Sequence, residues 1–234
     1  MKLEGIDGKA CCADTHSCYS HEDQTEGIDE MAIKVHQGDL PEGLDFGSMV
    51  AVDTETMGLS AHRDKLCVVQ LSAGDDDAHL VQLDRSTYHA PRLKALMENP
   101  GVTKIFHYAR FDVGMLKAYL GADTGPVYCT KIASRLARTY TDRHGLKDLV
   151  REMLGIELSK QQQSSDWGTP VLSDAQKQYA ALDVVYLHEL KVRLDQMLRR
   201  EGRMELAQAC FEFLPTRAAL DLAGWPEEDI FAHS

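Results

Sequence analysis

The stretch MVAVDTETMGL, Met49 to Leu59, decides how this chain is read. Met49 to Val52 is a short apolar run suited to a buried strand, and it leads directly into Asp53 and Glu55. Strand side chains alternate between faces, so residues two apart point the same way. Two carboxylates therefore share one face in a setting where acids are depleted. Like charges placed side by side at the end of a strand need something to neutralise them.

Outward from this strand, KLCVVQLSAG and DAHLVQL read as a hairpin across the turn-rich Gly74 to Asp77. APRLKALMENP is a short helix, with Pro91 in its first turn and Pro100 beyond its end. VTKIFHYA is a strand, RFDVGMLKAYLG a helix closed by Gly121, and PVYCT a strand. KIASRLAR and GLKDLVREMLG carry the helical period. LSDAQKQYAALDVVYLHELKVRLDQMLRREG reads as one long helix, with Ser173 and Gln176 spaced as a capping box. Five strands, antiparallel first and then alternating with helices, predict an α/β fold with a mixed sheet flanked by helices. The C-terminal FEFLPTRAALDLAGWPEEDIFAHS breaks the helical pattern but is rich in Leu, Phe and Trp. It is expected to bury against its own domain or a neighbouring subunit.

The 234 residues, 44% of them hydrophobic, suffice for a sizeable core. No apolar run is long enough to span a membrane, and no basic-then-apolar signal opens the chain, so the expected location is cytoplasmic. Six cysteines fit that location if mostly reduced, and Cys67 and Cys129 lie in apolar segments as small buried hydrophobes. Cys11, Cys12 and Cys18, with His16 and His21, match no metal-ligand spacing. The net charge is −12, and half of it lies in residues 1–30, where Lys2 and Lys9 face eight acids. With almost no apolar periodicity, residues 1–30 read as a disordered leader or tag, with Met31 opening the folded domain. The remainder is still acidic, whereas a protein coating long duplex nucleic acid presents a basic surface. Any nucleic-acid substrate should be short or locally gripped.

Further acids follow. Asp112 lies near the start of the helix in HYARFDVGML, and Asp183 lies in YAALDVVYL, four residues after Tyr179. Residues four apart share a helix face, so Tyr179 and Asp183 point to one place. Asp183 is surrounded in sequence by Ala, Leu and Val, and a buried charge needs a partner, of which a metal ion is the strongest. Each acid also has a plainer reading. Asp112 suits a helix dipole, Asp183 could face solvent, and Asp53 and Glu55 could end an edge strand. Taken together, a strand end, a helix start and a late helix are where a mixed α/β sheet forms a cleft.

Asp53-x-Glu55, then Asp112 in an H-x-A-x-F-D setting, then Tyr179-x-x-x-Asp183 resembles the three exonuclease motifs of the DEDD superfamily, in its tyrosine branch (DEDDy). GLKDLVREMLGIELSKQQQSSDWGTPVLSDAQKQYAALDVVYL is similar to ribonuclease D. HQGDLP, HRDKLCVVQLS and the C-terminal segment are most like the nano-RNase C (NrnC) type. The resemblance covers residues 31–234 and implies a ribonuclease H-like (DnaQ-like exonuclease) fold with a five-stranded mixed sheet. It divides the chain into an exonuclease domain over 31–205 and a tail over 206–234 that contributes an oligomer contact. One departure is visible: Cys129-Thr130 stands where ribonuclease D has Asp-Thr. The extra helical nucleic-acid-binding domain of ribonuclease D has no counterpart in these residues, which points away from structured RNA.

The resemblance implies 3'-5' hydrolysis of RNA to nucleoside 5'-monophosphates, with two divalent cations, Mg²⁺ or Mn²⁺, held about 3.5–4 Å apart by carboxylates. Asp53 would bridge both ions, Glu55 and Asp183 would complete the first site, Asp112 would act through water, and Tyr179 would orient the attacking water. The implied substrates are very short RNAs, above all 5'-phosphorylated dinucleotides such as pGpG. Leu59 matches the leucine that wedges between bases in dinucleotide-cleaving relatives, though it also reads as a core leucine. Thr56, His107, Arg110 and Lys160 are further substrate contacts. His107 is equally readable as a core histidine, Lys160 with Gln161–Gln163 as a solvated loop, and Trp167 as packing. The family also implies a closed homo-oligomer, an octameric ring, with no membrane association. Two alternatives stay open. An exonuclease on longer RNA or DNA would use the same five residues. An inactive nucleic-acid-binding scaffold would be expected to have lost a metal acid, and all four are present.

Overall fold

The expected antiparallel opening and the later strand–helix alternation meet in a single mixed sheet. The computed structural model describes residues 31–75, 77–158 and 165–233. The strands are β1 (Ile33–Gln37), β2 (Met49–Thr56), β3 (Leu66–Ser72), β4 (Ala78–Gln82), β5 (Thr103–Phe106) and β6 (Val127–Cys129). Their spatial order is β1-β4-β3-β2-β5-β6, six strands rather than the five expected. The additional strand, IKVHQ, lies parallel to β4 at the sheet edge. An edge strand with no fully buried residue has no need of the apolar alternation that identifies a strand in sequence.

β2 is central, antiparallel to β3 and parallel to β5. Its pairing with β5 covers only Met49, Val50 and Ala51, whereas pairing with β3 continues through Thr56 past an irregularity between Glu55 and Thr56. Beyond Ala51 the two parallel strands separate. A crevice at the carboxyl ends of parallel strands is the usual ligand position in such sheets.

The helices are α1 (Pro91–Glu98), α2 (Ala109–Leu120), α3 (Thr130–Ala137), α4 (Leu146–Leu149), α5 (Asp174–Val185), α6 (Leu187–Arg200) and α7 (Met204–Leu222). α4 runs on into a π-helical turn, Val150–Leu154, closed by Gly155. Gly121 ends α2 at φ 62°, a left-handed cap that only glycine adopts at no steric cost. Ser173 and Gln176 form the expected capping box at α5. The single long helix expected there is two, broken at Tyr186. The break lets α5 lie on β2, β3 and β4 while α6 packs on α3.

The C-terminal segment is also a correction. It is helical from Met204 to Leu222, straight through Pro215, and packs on α2. Ala207, Phe211, Leu214 and Ala218 form its buried stripe, at spacings of four, three and four residues. Pro215 removes one backbone donor, and burial of that stripe outweighs the loss. Cys67 and Cys129 are buried free thiols, as expected. No helix among the described residues is long and apolar enough to cross a membrane.

Lys104, fully buried on β5, fastens the strand that leads to His107 and α2. Its ammonium donates to the carbonyls of Asn99, Val102 and Gly125 at 2.8, 2.6 and 2.5 Å. Lys104→Met removes all three of these hydrogen bonds and is expected to destabilise the protein by about 3 kcal/mol. Chemical denaturation measures this, and an unchanged midpoint would contradict it.

Candidate active site

Asp53 and Glu55 stand on one face of β2 where the strand leaves β5 behind. α5 packs on this part of the sheet and delivers Asp183. Carboxylate oxygens of Asp53, Glu55 and Asp183 all lie within 4.8 Å of one another. Asp112, in the first turn of α2, is buried a step behind them, and its Oδ1 accepts a 2.6 Å hydrogen bond from the Thr54 hydroxyl. Gln70, opposite Asp53 across the β2–β3 ladder, donates from Nε2 to Asp53 Oδ2 at 3.1 Å and to Glu55 Oε1 at 3.5 Å. Tyr179 lies one turn before Asp183 on the same helix and beside it in the cleft.

No lysine or arginine forms an ion pair with any of the four acids among the described residues. Burial raises all four above the ordinary carboxylate range, and repulsion from neighbouring acids adds to it at Asp53, Glu55 and Asp112. Asp53 is pushed well above its usual value by burial, then by Asp112, Asp183 and Glu55. Glu55 is raised to about 9 by burial, then by Asp183 and Asp112. Burial raises Asp112 and Asp183 to about 7, opposed by the Thr54 and Tyr179 hydroxyls respectively. Burial, then Asp183, pushes the Tyr179 phenol above its usual range, so it stays protonated. Converging hard oxygen donors with no cationic side chain fit Mg²⁺ or a similar divalent cation.

Asp53, Glu55 and Asp183 line an open cleft of about 660 Å³ that also takes in Thr56, Leu59, His107, Tyr108, Phe111, Lys131, Lys147 and Tyr179. Leu59 is 86% exposed, so it is no core leucine. The Thr56 hydroxyl donates to the Gly58 carbonyl at 2.5 Å and is committed to its own loop. His107 is half-buried on the cleft wall, its Nδ1 2.9 Å from the Thr130 hydroxyl, which in turn donates to the Phe106 carbonyl. Burial, then Lys131, lowers His107 to about 3, so it is neutral. Thr130, beside the unusual Cys129, thus supports the wall.

Arg110 is not brought to the cleft. Its guanidinium pairs with Asp221 of α7 at 2.6 and 2.7 Å. Two helical residues before Asp112 is about 200° around the axis, so the two side chains point apart. Lys160 and Gln161–Gln163 lie outside the described residues, as do Cys11, Cys12, Cys18, His16 and His21. Trp167 is buried with Cys67, Val68, Leu80, Leu172 and Ala180, and packs against Tyr179 with ring centroids 6.1 Å apart.

Several cleft residues were not anticipated. Gln70 had a signal, as an amide within the otherwise apolar LCVVQL. Lys131 had one too, because a cation in the first turn of a helix opposes its dipole. Its ammonium sits 4.3 Å from the centroid of the Tyr108 ring. Tyr108 caps α2 at φ 70°, a left-handed conformation unfavourable for an aromatic residue and undetectable in sequence.

The raised acids fix a sign for stability against pH. Unfolded carboxylates titrate near 4, so in metal-free protein the stability these groups contribute is complete below about pH 4. It is lost as pH rises through the folded values, about 7 for Asp112 and Asp183 and about 9 for Glu55. Metal-free protein should show a falling Tm from pH 5.5 to 9, with Mg²⁺ restoring it at the upper end and having little effect at the lower. Asp53→Asn should flatten the fall and remove the Mg²⁺ shift. A Tm for the unmodified protein that is indifferent to Mg²⁺ at pH 8.5 would contradict the assignment.

The profile of the 3'-5' exonuclease family (DNA_pol_A_exo1) matches residues 29–199. NrnC of Brucella melitensis, solved with bound Mg²⁺, superposes with a TM-score of 0.84 at 53% identity, covering 87% of this chain and 100% of that one. The same protein bound to pGG gives a TM-score of 0.85 at 54% identity, covering 88% of this chain and 100% of that one. Ribonuclease D of Acidiphilium cryptum is 38% identical over 156 residues, 67% of this chain, but the chain spans only 39% of that protein's length. Their folds are of the DnaQ-like, ribonuclease H type expected for a mixed sheet of this order. This chain belongs to the 3'-5' exonuclease family.

Proposed function

We propose that the protein is a metal-dependent 3'-5' exoribonuclease acting on very short RNA, above all 5'-phosphorylated dinucleotides such as pGpG, and releasing nucleoside 5'-monophosphates. The carrying observation is the cluster of half-buried carboxylates, none ion-paired to a lysine or arginine among the described residues, in a cleft also lined by Lys131, Lys147 and the exposed Leu59. The pGG bound by the Brucella protein supports the choice of substrate.

In this reading Asp53, Glu55 and Asp183, with Asp112 behind them, would hold divalent cations. The cations, Mg²⁺ or Mn²⁺, supply charge neutralisation and make a nucleophile available from water. The chain's own groups do the positioning. Tyr179, beside Asp183, orients the attacking water. Gln70 and Thr54 hold Asp53 and Asp112 in place. Water adds to phosphorus as the bond to the 3' oxygen breaks, leaving a 3'-hydroxyl on one nucleotide and a 5'-phosphate on the other. Lys131 and Lys147 receive the substrate's far phosphate, and Leu59 lies between its two bases. Self-association, as an octamer, is part of the same reading, and the exposed Phe231 near Phe213 of α7 gives it an apolar contact.

Labelled RNA and DNA oligonucleotides of two to ten residues test the proposal. The dinucleotide should be cleaved fastest, and only with Mg²⁺ or Mn²⁺ present. Equal rates across the series would remove the dinucleotide preference while leaving the nuclease. Asp183→Asn should reduce kcat on the order of a thousandfold. Tyr179→Phe should cost about a hundredfold in kcat, with KM little changed. Near-normal turnover by Asp183→Asn would refute the metal role.

A further inference from the structure

The loop between β2 and β3 is organised around one buried acid. Met57 N–H donates to the Lys65 carbonyl at 3.0 Å and closes the loop at its base. The Arg63 and Asp64 N–H groups both donate to the Ser60 carbonyl, at 3.0 and 2.7 Å. Asp64 is only 9% exposed although it sits on a surface loop. Its Oδ2 accepts the Ser60 N–H at 3.0 Å, and the Arg63 guanidinium donates to both carboxylate oxygens at 2.7 and 2.8 Å. A Cβ at Gly58 would come within 2.3 Å of Asp64 Oδ2. One carboxylate therefore contacts both neighbours of Leu59, packing against Gly58 and hydrogen-bonding Ser60. From α2, the helix that carries Asp112, Tyr119 donates to the Asp64 carbonyl at 3.1 Å.

We infer that Asp64 is a positioning residue that holds Leu59 projecting into the cleft and so sets the length of strand the site accepts. The inference rests on the reading of Leu59 as the residue that lies between the bases. An exposed leucine on a slack loop would fold back onto nearby apolar surface, or would have to be ordered at each binding event. The clasp removes that ordering cost before substrate arrives. Arg63, then the Ser60 N–H, hold Asp64 down to about 2, so the clasp stays charged at any ordinary assay pH.

The test compares kcat and KM for pGpG, a seven-residue RNA and the p-nitrophenyl ester of thymidine 5'-phosphate, a single nucleotide that needs only the metal site. Asp64→Ala should lower the preference for dinucleotide over heptamer about tenfold, the loss expected for one charge-assisted hydrogen bond. The loss should fall mainly in KM, with ester hydrolysis and Mg²⁺-induced stabilisation unchanged. Asp64→Asn, which keeps an acceptor for Ser60, should recover most of it. Gly58→Ala, which displaces the carboxylate without removing it, should reproduce the lost preference. Asp64→Ala with unaltered preference, while Leu59→Ala loses it, overturns this inference alone. A parallel fall on the ester overturns it as well, since that marks a merely structural role. Unaltered preference in Leu59→Ala refutes the wedge reading, and this inference with it.

Discussion

Repulsion among converging carboxylates, three half-buried and one buried, is the constraint on which the rest of this structure depends. Asp53, Glu55 and Asp183 converge within 4.8 Å, Asp112 stands behind them, and no lysine or arginine pairs with them among the described residues. Such a cluster is unfavourable by itself, and the fold is arranged to hold it. β2 supplies two of the acids because it outruns its pairing with β5 while still paired with β3. The cost is spread over neutral groups: Thr54 donates to Asp112, and Gln70 to Asp53 and Glu55. These bonds orient the acids without cancelling their charge, which leaves that task to divalent cations.

The overall charge of −12 would repel a polyanion at long range. Inside the cleft the distribution is different. Asp53, Glu55 and Asp183 line the cleft together with Lys131 and Lys147, and Lys131 is poised over the Tyr108 ring. Two cationic side chains match one phosphate better than a long backbone. An acidic protein with two lysines lining its cleft suits a small anionic ligand at cellular ionic strength, where distant charges are screened beyond about 8 Å.

Much of this was legible in the sequence, because the acids break the rules of their elements. Carboxylates in a strand and an aspartate among alanines and valines stand out locally, and Ser173 with Gln176 gives a helix start by spacing alone. What escaped reading depends on tertiary context. β1 is an edge strand without a buried face, and the break at Tyr186 arises from α5 and α6 packing on different partners. Pro215 and the aromatic run suggested an irregular tail, yet the stripe from Ala207 to Ala218 makes it a helix. Arg110 lay beside a motif acid in sequence, but helical geometry turns it towards Asp221. The clasp of Asp64 on Gly58 is a matter of loop closure that no periodicity records.

The central claim is that Asp53, Glu55 and Asp183 tolerate one another because they ligate divalent cations. Anomalous diffraction from crystals soaked in Mn²⁺ near pH 8 tests it most directly. The account predicts strong manganese peaks between these three carboxylates, absent from Asp53→Asn crystals treated identically. Well-ordered carboxylates with no anomalous density between them at saturating Mn²⁺ would contradict it.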